Sequence, residues 1–179
     1  MVEGKNGRLG DSSNETPSAL TEAEFKTVEA IAGRIMPATD TPGAIEAGAA
    51  IYIDRALAGP YGKHLATYQR AITELDRHCM ASFGKPFAGL GAERQDEVLK
   101  SLEGGSKNAV NDGQKFFALV LDHVMEGFFG EPQYGGNRDL IGWKLVGFPG
   151  QRYGYDDPYI NKVIDLEPIA CDELPRKGR

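Results

Sequence analysis

Long apolar runs are missing from this sequence: no stretch approaches the roughly 18 residues that would suggest a membrane-spanning helix. Basic clusters are scarce as well. The formal net charge is −6, and the densest group, Arg176, Lys177 and Arg179, reads as a solvated end. Nucleic acid and anionic lipid both demand clustered Lys and Arg, so neither is expected as a partner. Cysteine is nearly absent too. Cys79 and Cys171 are the two, and neither belongs to a CxxC pair of the kind that builds a zinc site. Their count is compatible with one disulfide in an oxidising compartment and with two reduced thiols. No GxSxG, GxGxxG, P-loop or HExxH pattern occurs. The opening MVEGKNGRLGDSSNETPSA has no apolar core and no twin arginine, so no export signal is expected in it.

What the chain does contain is helical periodicity. Its 179 residues suffice for one domain with a sizeable core. Residues 1–19 are rich in Gly, Ser, Asn and charge and read as a flexible lead. Thr21 and Glu24 form a capping box, Leu20 and Phe25 a hydrophobic staple, and Val28, Ile31, Ala32, Ile35 and Met36 continue one helical face to the stop at Pro37. A rigid PATDTPG turn follows. A second helix is expected over residues 44–58, with Ile45, Ala49, Tyr52, Ile53, Ala56 and Leu57 as its stripe. After Gly59 and Pro60, Leu65, Tyr68, Ile72, Leu75 and Cys79 give a bundle-type seam, on which Cys79 is a small core residue. Phe83 and Phe87 are expected to cap the bundle end. A fourth helix spans about residues 92–102 with Val98, Leu99 and Leu102 inward. Asn111 or Asp112 caps a fifth, very apolar one, expected near the centre, with Gly127 and Gly130 as its stop.

The fold expected is therefore all-α: about five helices over residues 20–130, then a long irregular segment, residues 131–179, of the same domain. Within it, QYGGNRDLIGWKLVGFPG (residues 133–150) has no helical period yet combines glycines with a Tyr, a Trp and a Phe. Disordered chain is poor in aromatics, and long structureless loops are uncommon in compact domains, so this segment is expected to be ordered. Its glycines lack the preceding strand and following helix of a phosphate cradle. Tyr134, Trp143, Phe148 and Tyr153 are residue types favoured at interface centres, and Arg138 can pair or stack. They could equally cover the protein's own core, and the sequence leaves both readings open.

Candidates for chemistry are few. His123 and Glu126 stand at i, i+3, the spacing used in di-metal bundles but in reversed order and without a second pair. A stand-alone metal-binding or catalytic bundle built on them is the alternative reading. His78 and Cys79 are adjacent on a helix, so they face different directions and do not suit a Cys–His nucleophile.

Three stretches carry a family likeness: IAGRIMPATDTPGAIEAGAAIYIDRAL, FFALVLDHVMEGFFG and EPQYGGNRDLIGWKLVGFPG. Over roughly residues 20–150 they resemble the small subunit, subunit 3, of gluconate 2-dehydrogenase and its relatives. The resemblance implies a non-catalytic partner of a large flavoprotein of the glucose-methanol-choline (GMC) oxidoreductase type, which oxidises a sugar, sugar acid or glycoside with FAD. It implies no cofactor or metal in this chain, a chaperone-like role in folding, stability or export of the large subunit, a cytochrome c subunit as a further candidate partner, and a periplasmic location. Relatives often carry a twin-arginine signal, which this sequence lacks. Onto this chain the likeness carries Tyr134, Gly135, Gly136, Asn137, Trp143, Phe148, Pro149 and Gly150 as the surface against the flavoprotein, with Arg138 and Tyr153 beside them.

Overall fold

The computed structural model describes residues 16–106, 109–150 and 167–171. Six α-helices lie among them: α1 Glu22–Ile35, α2 Ala49–Ala58, α3 Leu65–Phe83, α4 Ala92–Glu103, α5 Gly113–Phe129 and α6 Ile141–Val146. The described residues hold no strand, only an isolated bridge between Gly150 and Ile169.

Helix α1 begins as its sequence dictates. The Thr21 hydroxyl accepts the Glu24 N–H at 3.3 Å and the Glu24 carboxylate accepts the Thr21 N–H at 2.8 Å, a reciprocal cap worth about 1 kcal/mol. Just upstream, the end of the expected flexible lead belongs to the fold. Asp54 of α2 is buried, and its carboxylate accepts the N–H groups of Ser18, Ala19 and Leu20 at 2.6, 3.0 and 2.9 Å. A buried carboxylate needs such donors, and here the three residues just before the α1 cap supply them.

Helix α5 packs against the other five helices, which is why it is apolar on so much of its surface. Phe116, Val120, Val124 and Phe128 are buried along it. Asp112 is its N-cap, in the left-handed conformation, but its carboxylate takes Lys115 instead of a backbone N–H. Val98, Leu99 and Leu102 of α4 and Tyr68, Ile72, Leu75 and Cys79 of α3 complete the core as their spacing requires. Burial pushes the Cys79 thiol up to about 11, so it is an inert core group, and no disulfide joins it to Cys171. Phe87 is fully buried at the bundle end, while Phe83 is half-buried beneath the Arg94 guanidinium, 5.3 Å from its ring centre.

Two expectations are corrected. The second helix begins at Ala49 and not at Ala44, because Gly48 takes φ 73° and the preceding residues turn. Gly127 is not a helix stop. It lies inside α5 where a Cβ would stand 3.0 Å from the Ala49 Cα, so its missing side chain lets α2 and α5 cross closely. Only Gly130 ends the helix.

Candidate functional site

After Gly130 the chain does not leave the bundle. It folds back over the end of α5 through short 3₁₀ turns at Pro132–Tyr134 and Arg138–Leu140, then forms α6. The segment is thus ordered, as expected, and contains a helix that its sequence hides. Six residues with a glycine among them give no measurable period.

Asn137 organises this return. It is fully buried at φ 45°. Its N–H donates to the Gly127 carbonyl at 2.7 Å, its side-chain amide donates to the Gly130 carbonyl at 2.8 Å, and its side-chain oxygen accepts the Gly142 N–H at 2.8 Å. One residue thereby ties the last turn of α5 to the first turn of α6. Asparagine suits the position because it tolerates the left-handed region and carries both donor and acceptor.

Glycines make the seat. A Cβ on Gly136 would fall on the Gly127 carbonyl oxygen, and one on Gly142 on the Phe128 carbonyl oxygen. The segment therefore lies backbone against backbone on α5. Asp139 and Leu140 are held at φ 52° and 58°, a conformation costing on the order of 1–3 kcal/mol each outside glycine. Arg138 donates its N–H to the Ala47 carbonyl at 3.1 Å and lays its side chain along Gly48. The segment's end is covered in turn. Gly150 pairs with Ile169, whose N–H donates to the Pro149 carbonyl at 3.3 Å, and the Cys171 N–H donates to the Glu131 carboxylate at 3.3 Å.

The proposed surface residues consequently divide. Gly135, Gly136, Asn137, Trp143 and Gly150 are buried in this chain, so they hold the surface up instead of forming it. Trp143 is the clearest correction: it is 4% exposed, and its indole N–H donates to the Phe129 carbonyl at 2.6 Å. Tyr134 is 57% exposed, Phe148 45%, Val146 59% and Leu145 46%, and Arg138 and Pro149 are partly exposed. Tyr153 lies outside the described residues. Phe148 leans edge-on against Trp143, ring centres 5.0 Å apart. Phe129, Glu131, Trp143, Val146 and Phe148 line an open groove of about 650 Å³. Leu145 and Val146 were not singled out from sequence; only the register of α6 turns them outward.

The alternative site dissolves into packing. His123 is buried, with Nδ1 2.9 Å from the Tyr68 hydroxyl and its ring stacked on Tyr61 at 4.7 Å. Burial lowers its pKa, with His64 acting in the same direction and Glu126 and Asp122 opposing. Glu126 instead accepts the Tyr52 and Tyr61 hydroxyls at 2.8 and 3.2 Å. Burial, with Glu126 beside it, raises the Tyr52 pKa, so the phenol keeps its proton. Both touch Tyr61, His123 at its ring and Glu126 at its hydroxyl, and each is held by groups of this chain. Among the described residues no group of three or more His, Cys, Asp or Glu is placed to hold a metal.

The model of the gluconate 2-dehydrogenase subunit 3 family matches residues 22–150. The chain belongs to this family. The match begins at α1 and ends at Gly150, taking in all six helices and the whole segment seated on α5. No curated protein and no solved structure matches the chain. No helix among the described residues is long and apolar enough to cross a membrane.

Proposed function

We propose that this chain is the non-catalytic small subunit of an FAD-dependent sugar, sugar-acid or glycoside dehydrogenase, and that it binds and stabilises the large GMC-type flavoprotein through the outer face of its α5–α6 return. The observation that carries this reading is the contrast within one segment. Leu145, Val146 and Phe148 stand exposed, Val146 and Phe148 along one groove, on a backbone fixed by Asn137 and Trp143, and Tyr134 is exposed at the start of the same return. Exposed apolar side chains on a rigid support bind with little loss of side-chain freedom, and grouped ones mark interaction sites. Covering the exposed part of Phe148 would contribute on the order of 1 kcal/mol.

Flavin belongs to the partner on this reading. Gly136 and Gly142 lie against the backbone of α5 and Gly150 against that of Ile169, so none of these three is open to a phosphate. The complex works in the periplasm, to which the small subunit helps bring the folded flavoprotein, and a cytochrome c subunit is a further partner. Co-expression with the large flavoprotein subunit tests the proposal. A one-to-one complex is expected, with all flavin in the large chain and a lower yield of soluble flavoprotein when the small chain is omitted. A flavoprotein that accumulates equally well alone, with no small chain retained, contradicts it.

A further inference from the structure

A cavity of about 430 Å³ opens between α1, the turn before α2 and the start of α4, lined by Lys26, Glu29, Arg34, Ile45, Ala88 and Gln95. Three of these side chains are charged, and two of the charges are already met. Lys26 reaches Glu22 at 3.0 Å, and Arg34 forks onto Asp96 at 2.6 and 2.9 Å. The Glu29 carboxylate has no hydrogen bond or ion pair among the described residues. Arg138, which with Glu29 and Ile45 lines a smaller neighbouring cavity, forms no salt bridge with it. Gln95 adds a second open acceptor. It is 8% exposed; its amide nitrogen donates to the Phe87 carbonyl at 3.1 Å, and its side-chain oxygen accepts no hydrogen bond among the described residues. A buried acceptor without a donor is costly, so this oxygen favours a ligand that donates.

We infer that this cavity receives an arginine side chain presented by a partner polypeptide, its guanidinium donating to Glu29 and to the Gln95 oxygen and its alkyl stem lying on Ile45 and Ala88. Both open groups are acceptors. A guanidinium carries five donors in a planar fork and no acceptor, so one group serves the two at once, whereas an ammonium is a compact, strongly hydrated point charge. A carboxylate would bring acceptors to acceptors. Ile45 is 50% exposed and Ala88 is exposed as well, and the methylene stem of an arginine buries along such apolar surface. The inference stands on this cavity and does not require the flavoprotein docking reading.

Chemical-shift titration of the isotopically labelled full chain tests it, with N-acetyl-L-argininamide as probe, N-acetyl-L-citrullinamide as its uncharged isostere and agmatine as a free small cation. Saturable shifts at the residues lining the cavity are expected with the capped arginine, with the citrulline derivative about tenfold weaker and agmatine no tighter. Glu29→Gln, at a partly exposed side chain without a partner, is expected to weaken the capped arginine by about tenfold. No saturable shift at these residues, equal affinity for the citrulline derivative, unchanged affinity in Glu29→Gln, or agmatine binding more tightly than the capped arginine overturns the inference, the last by making the site one for a free cation.

Discussion

Helix α4 and the α5–α6 return both cover α5, and they do so by different physics. Helix α4 presents Val98, Leu99 and Leu102, side chains that interdigitate, and the neighbouring α1 is fixed to it by the forked Arg34–Asp96 pair, 2.6 and 2.9 Å. The return seats itself largely through backbone, with Asn137, Ile141 and Trp143 as side chains turned inward. Gly136 and Gly142 bring backbone onto backbone, and Asn137 supplies the hydrogen bonds. A face packed through side chains can adjust to a change of shape. A face packed through backbone has nothing to adjust, and its own side chains are left free to point outward.

Gly142→Ala is expected to be the most damaging single change. The added methyl group falls on the Phe128 carbonyl, and the loss of stability in denaturant unfolding is expected at or beyond the top of the roughly 1–3 kcal/mol typical of overpacking. Asn137→Ala leaves the buried Gly142 N–H and the Gly130 carbonyl without their partner; a loss of about 2–3 kcal/mol is expected. On the α4 side, Leu102→Met keeps volume in a fully buried position and should cost less than about 1.5 kcal/mol. An α4 more sensitive than the return would reverse the comparison.

Acidity probes the contact between α5 and α3, where His123 of α5 meets Tyr68 of α3. His123 has a folded pKa below the unfolded value near 6.5, so above that pH both states are neutral and stability does not depend on it. Below it the unfolded chain takes up a proton that the native one refuses. Stability should then fall by at most about 1.4 kcal/mol per pH unit, until the folded pKa is passed. A melting-temperature series from pH 7 to pH 5 checks this, and His123→Gln should flatten its slope. Steps of equal size in both proteins would remove His123 from the account.

The bundle was legible because its signals are local. The Thr21–Glu24 box, the α3 seam and the apolar run of α5 each declare themselves within a few turns. What stayed hidden depends on distant partners. Gly127 reads as a helix stop until Ala49 is seen pressed against it. Asp54 carries no signal of its own in the sequence; its role depends on Ser18–Leu20, 34 to 36 residues away, whose N–H groups it accepts. The segment of residues 133–150 was recognised as ordered, but its division was not. Trp143, the residue type most expected at an interface centre, is buried, and the outward Leu145 and Val146 depend on a six-residue helix with no period to betray it. Sequence identified the segment; only the fold separates the residues that support it from those that face out.

One segment holds itself with Asn137, Trp143 and its glycines and, on the proposed function, binds the flavoprotein with Tyr134, Leu145, Val146 and Phe148. Phe148→Asp, a change at a half-exposed ring, tests it most directly when the purified chain's melting temperature and the co-purification of the large subunit are measured on the same variant. Stability within about 1 kcal/mol of the parent is expected, together with loss of the flavoprotein. Retention of the flavoprotein at the parent yield, with the aspartate in place and the fold intact, would contradict it.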